Sequence, residues 1–179
     1  MLKNGNRMAF LRHMVFLIWC CPVLLLSQNF KLPSGEKFQK VKFELVNNLI
    51  IIPIEVNGAQ LSFILDSGVN KPILFNLSDK DSIQINNVSE IVIKGLGEGE
   101  PINALISSSN LFRIGEVVNT DQQLYVVMDK ELNLSPRLGI PVHGIIGYDL
   151  FRDFIVELNY SSKYLKLHDP DLYRSKKSS

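Results

Sequence analysis

Leu61-Ser62-Phe63-Ile64-Leu65-Asp66-Ser67-Gly68 carries an apolar, strand-like run straight into one carboxylate, one hydroxyl and one glycine. An aspartate that ends a buried strand is costly unless a hydrogen bond holds it or its pKa moves to suit. Serine and glycine, placed next, let the backbone turn sharply and offer O–H and N–H donors to that carboxylate. Asp followed by Ser and Gly is also a common surface turn. The unbroken apolar approach through Phe63, Ile64 and Leu65 separates this one, and makes Asp66 a candidate for acid–base chemistry.

Outward from this stretch the pattern is β-structure. Leu49 to Val56 and Gln60 to Leu65 flank Asn57-Gly58, both of which tolerate the positive φ of a tight hairpin. Further strand-like runs are Pro72–Phe75, Glu90–Lys94, Ile102–Ile106, Gln123–Met128, His143–Ile146, Phe154–Leu158 and Tyr164–Leu167. Turn residues separate them, and many short strands at this spacing predict an all-β, closed or sandwiched fold without open edges. One short helix is expected near Tyr148 to Asp153, with Asp149 in its first turn where a negative charge suits the helix dipole.

Two more pieces carry information. Gly95-Leu96-Gly97-Glu98-Gly99-Glu100 is followed by a strand-like run rather than a helix, and its glutamates would repel a phosphate. It reads as a hairpin tip, either a plain turn or a flap over a ligand. His143-Gly144-Ile145-Ile146-Gly147-Tyr148-Asp149-Leu150-Phe151 suits a buried strand passing tightly against another backbone, with glycine where no side chain fits.

Taken together, these motifs resemble the retropepsin-like aspartic peptidases, and more closely a bacterial family of secreted aspartyl proteases. The resemblance spans roughly residues 41 to 170. It implies a closed retropepsin-like β-barrel in which Asp66 is the catalytic aspartate. Ser67 links two active-site loops and Gly68 keeps the loop tight. Ile145, Ile146 and Gly147 thread beside it, and Gly95, Leu96, Gly97, Glu98 and Gly99 form the flap. Two departures stand out: Val69-Asn70 replaces the small pair common after this motif, and the flap tip lacks an aromatic. Such peptidases use two aspartates with one water between them and no metal or organic cofactor. This chain offers one Asp-Ser-Gly, so the implied enzyme is a homodimer or one lobe of a two-lobed protease acting on polypeptides. Some relatives carry a second protease-like half and a PDZ domain.

The bulk of the chain fits that expectation. Its 179 residues are 46% hydrophobic with a formal charge of +1, enough for one domain with a core and no surface for nucleic acid. Residues 1–28 read as a targeting segment: Lys3, Arg7 and Arg12 precede an apolar run from Met14 to Leu26. That run is short for a membrane span, which favours a secretory signal over an uncleaved anchor and predicts an exported, periplasmic, envelope or secreted protein. Trp19 before Cys20 and Cys21 disfavours lipidation. Without the segment no cysteine remains, and His143 and His168 lack metal-ligand spacing. Residues 29–42 read as a linker, 43–170 as the peptidase domain and 171–179 as a polar tail. The rival functions are a peptide-binding barrel with an incomplete site and a plain structural domain. No Gly-x-Ser-x-Gly elbow supports a serine hydrolase.

Overall fold

In the computed structural model, which describes residues 29–75, 83–93, 101–128 and 133–173, Asn57 and Gly58 make the expected turn. Their φ values are +48° and +91°, the two positive angles of a type I′ hairpin. The turn joins β3 (Leu49–Val56) to β4 (Ala59–Asp66), paired from Ile51↔Ile64 to Val56↔Ala59. The Asn57 side chain also ties the turn down. Its Oδ1 accepts from the Leu111 N–H at 2.7 Å, and its Nδ2 donates to Asn110 Oδ1 at 2.8 Å.

The other strands of the main sheet are β2 (Glu44–Val46), β5 (Ile73–Leu74), β6 (Ser89–Ile93), β7 (Ile102–Ile114), β8 (Val117–Val127) and β9 (Gly144–Gly147). The sheet runs β2-β3-β4-β9-β5-β8-β7-β6, and an added β3–β7 pairing closes six of them, β3-β4-β9-β5-β8-β7, into a ring. The expected all-β closed barrel is therefore the fold this chain adopts. Closure leaves only β2 and β6 at the ends of the sheet order, which limits exposed edges.

β3 and β4 are apolar on consecutive residues where both faces are covered, at Ile50–Ile52 and Phe63–Ile64. Ile52, Ile54, Val56, Leu61 and Phe63 fill the barrel with Phe112, Ile114, Leu124 and Ile146. Ile51 and Ile64 face the other way, against Phe75, Val142, Leu134 and Leu138. The last two belong to a single-turn helix, α1 (Ser135–Leu138), and the residue before it. This turn is an addition to the one helix expected, α2 (Tyr148–Asp153), which forms with the expected bounds.

A second sheet packs β1 (Phe38–Lys42) against β11 (Tyr164–His168) and β11 against β10 (Ile155–Asn159), all antiparallel. Here the reading of residues 29–42 as a linker fails. The segment holds β1, Phe30 is 3% exposed and stacks edge-on against Phe112, and Lys31 bridges Val118. Its Lys, Ser, Gly and Glu content suggested solvent, but two buried side chains, Phe30 and Val41, are enough to dock it.

The β7–β8 hairpin is also longer than the runs Ile102–Ile106 and Gln123–Met128 suggested. Ser107, Asn110, Asn119 and Gln122 interrupt the apolar pattern yet are fully or nearly buried. They are tolerated because they bond one another: Asn110 Nδ2 donates to Ser107 Oγ at 2.8 Å and Asn119 Nδ2 to Gln122 Oε1 at 2.7 Å. The ladder shifts register between Ser107 and Phe112, with Ser109 at φ +57°.

Candidate active site

β4 delivers Asp66 from a buried strand to an exposed end: Phe63 and Ile64 are buried, Leu65 half-buried and Asp66, Ser67 and Gly68 exposed. The chain turns at once. Gly68 N–H donates to Asp66 Oδ1 at 2.9 Å and Val69 N–H to the Asp66 carbonyl at 3.2 Å. One carboxylate oxygen is thus oriented by its own loop, while the group stands open to solvent.

β9 threads between β4 and β5, parallel to the first and antiparallel to the second. Its register sets Ile145 beside Ile64, Ile146 beside Leu65 and Gly147 beside Asp66. Ile146 points into the barrel core and Ile145 into the outer cluster, so alternating residues of this strand serve both layers. Gly144 and Gly147 have no room for a side chain. A Cβ on Gly144 would meet Phe63 Cε1 at 2.5 Å, and one on Gly147 would overlap the Asp66 carbonyl oxygen and come within 3.1 Å of Ser67 Cα. The Tyr148 N–H then donates to the Val69 carbonyl at 2.9 Å, so both ends of the Asp66 loop are fastened to the β9–α2 corner.

Asp66, Ser67, Gly68, Ile145, Ile146 and Gly147 are therefore brought together, with Ile145 and Ile146 in β9. The flap residues fall differently. β6 and β7 pair up to Ile93↔Ile102, as the arms of a hairpin should, but Gly95, Leu96, Gly97, Glu98 and Gly99 lie outside the described residues.

Sequence reasoning missed a polar cluster on α2. Asp149, 7% exposed, accepts from Gln122 Nε2 at 2.8 Å and pairs with Arg152 Nη1 at 3.0 Å. Arg152 Nε also donates to Asp153 Oδ1 at 2.7 Å, and Asp153 Oδ2 accepts from the Phe30 N–H at 2.8 Å. The Asp153 hydrogen bond chiefly, with the Asp153 and Asp149 charges adding, raises the Arg152 pKa against the opposing effect of burial. The available signal was the Asp-x-x-Arg spacing, which puts opposite charges on one helix face. A second missed contact is His143, whose Nδ1 accepts from the Ser62 N–H at 3.0 Å and so steadies the approach to Asp66.

A family model described as aspartyl protease matches residues 52–150. Among solved structures, the chain is similar to a retropepsin-like aspartic protease from Rickettsia conorii, at 13% identity and a TM-score of 0.45, over 79% of this chain and 94% of that one. No curated protein matches. The family match runs from the middle of β3 into α2, takes in Asp66-Ser67-Gly68 and Ile145-Ile146-Gly147, and covers more than half of the residues. The chain therefore belongs to the aspartyl protease family.

Proposed function

We propose that the chain is an endopeptidase that hydrolyses polypeptides as a homodimer, each subunit supplying its Asp66 to one shared site. The observation that carries this reading is the exposed Asp66 carboxylate at the end of a buried strand, on a loop pinned at both ends to the β9–α2 corner. Two carboxylates brought together, as in aspartic proteases generally, cannot both ionise and share one proton. The ionised one draws a proton from a water, whose oxygen attacks the peptide carbon. The protonated one donates to the peptide carbonyl, and the proton taken from water goes on to the leaving amine.

A two-fold axis is the economical way to set one residue opposite itself. Tyr148, Phe151 and Ile155 support this, being exposed large side chains along α2 and at the start of β10. In this reading Ser67 links the two active-site loops, Gly68 and Gly147 keep them close, Ile145 and Ile146 support them, and Gly95 to Gly99 cover the substrate. Residues 1–28 direct export.

The test compares wild type with Asp66→Asn on an unstructured protein substrate from acidic to neutral pH, with the oligomeric state measured alongside. Loss of cleavage in the variant, with a dimeric wild type, is the expected result. Cleavage that survives the substitution removes Asp66 from the mechanism. A monomer that cleaves nothing points to one lobe of a two-lobed enzyme. A second reading, a barrel that adds an extended peptide to an edge without cutting it, draws on β6. That strand ends the sheet order and pairs with β7 alone among the described residues. Peptide binding without cleavage in both proteins would favour it.

A further inference from the structure

We infer that Asp149 and Asp153, bridged by Arg152, are positioning residues that clamp α2 and through it hold Gly147 and Tyr148 against the Asp66 loop. The inference rests on the proposed catalytic role of Asp66 and adds to it the means by which the loop is kept in place.

A six-residue helix has little stability of its own, so its position depends on what it is tied to. The two carboxylates tie it to different elements. Asp149 takes the Gln122 amide of β8, and that amide is itself fixed by Asn119 Nδ2 at 2.7 Å. Asp153 takes the backbone N–H of Phe30, in the strap that crosses to β8 through Lys31 and Val118. Arg152 touches both carboxylates, at 3.0 Å and 2.7 Å, and neutralises part of their charge. The chain of bonds thus runs from β8 through α2 to the N-terminal strap. Its member nearest the Asp66 loop in sequence, Asp149, is two residues beyond Gly147.

Burying carboxylates is a poor way to gain stability, because desolvation offsets what the pairing returns. Two of them on one helical turn, with side chains 9% and 5% exposed, suit a demand for exact placement better. That demand is visible next door. Gly147 meets the Asp66 backbone with no spare room, and the Tyr148 N–H holds the Val69 carbonyl at 2.9 Å. A shift of α2 by about 1 Å would move the Asp66 loop with it, and misplacement on that scale costs about 10²-fold in rate.

The test uses the full chain and four variants, Asp149→Ala, Asp149→Asn, Gln122→Leu and Asp153→Ala. Three quantities are read: kcat and KM on an unstructured protein substrate, and hydrogen exchange at the Tyr148 amide. Asp149→Ala, Gln122→Leu and Asp153→Ala are expected to lower kcat by about 10- to 10²-fold with KM changed less than about threefold. Tyr148 exchange should speed up at least about tenfold in each. Asp149→Asn keeps an acceptor for Gln122 and should recover most of the lost kcat. Variants that lose thermal stability while kcat and Tyr148 exchange stay at wild-type values would overturn the inference, leaving the cluster merely structural. Should Asp149→Ala not fold, Gln122→Leu and Asp153→Ala carry the same comparison. If the wild type itself cleaves nothing, the catalytic reading fails, and Tyr148 exchange alone decides the clamp: unchanged exchange refutes it.

Discussion

Gly147 lies so close to Asp66 that a single methyl group on its Cα would overlap the Asp66 carbonyl oxygen and stand 2.5 Å from its carbonyl carbon. Both partners are backbone atoms in paired strands, so neither can swing aside. Gly147→Ala is therefore expected to cost at least about 3 kcal/mol of stability and to abolish activity in whatever protein still folds, as read by urea unfolding and cleavage assay. Gly68→Ala is the contrasting case. Its added Cβ would meet Asp66 Oδ1 at 3.3 Å, a side-chain atom that can give by a few tenths of an ångström. Its stability should change by less than about 1 kcal/mol while activity falls, because the atom that gives way is the carboxylate itself.

Asp66→Asn should leave the fold almost untouched. The side chain is exposed, and asparagine keeps an Oδ1 for the Gly68 N–H. A change in unfolding free energy within about 0.5 kcal/mol is expected, together with a fall in cleavage of at least about 10³-fold. A large stability loss in this variant would mean that the carboxylate serves the loop rather than a reaction.

Glu157 titrates below its ordinary value of 4.5, chiefly because His168 hydrogen-bonds it at 3.0 Å, with Lys166 adding at 3.5 Å. A carboxylate whose folded pKa is depressed contributes stability above its unfolded pKa and loses it as pH falls through the folded one. The gap in melting temperature between wild type and Glu157→Gln should therefore be present near pH 6 and close progressively below about pH 4.5. Because Glu157 is 43% exposed, the gap should be small and should shrink with added salt. A gap that is constant down to acid pH would show that packing, not charge, is responsible.

Asn57→Ala removes three things at once: a residue at ease with φ +48°, the acceptor for Leu111 N–H, and the donor to Asn110. A loss of about 2–3 kcal/mol is expected, larger than a surface turn substitution would give. Asn57→Gly restores only the backbone freedom and should recover about 1 kcal/mol of it, which denaturant titration can resolve.

Phe30→Ala should cost about 3–5 kcal/mol, since the ring is 3% exposed and stacks on Phe112 at 6.4 Å between centroids. A loss near zero, the behaviour of a linker residue, would contradict the docking of this segment.

Much of the barrel was legible because its strands are covered on both sides or alternate cleanly. Leu49–Val56 has the bounds read from sequence, and so does α2. Asp66 and Gly147 could be picked out because a charge after an apolar run and a glycine after two branched residues each break a local expectation. The register that sets them side by side could not be read, since a parallel pairing of β4 with β9 joins segments about eighty residues apart. What stayed hidden was buried polarity. Ser107, Asn110, Asn119 and Gln122 look like loop residues until their partners are known, and Phe30 and Val41 are too sparse a pattern to announce a docked segment.

The seam between β1 and β11 also constrains how the molecule is made. Phe38 meets His168 and Lys42 meets Tyr164, while Phe30 reaches Asp153 across 123 positions of chain. No fragment released early during synthesis can complete this three-stranded sheet. β1 must wait for the β10–β11 hairpin before it can pair, leaving Val41 exposed meanwhile, so folding should be slow and best served by a chaperone that guards the chain until it is whole.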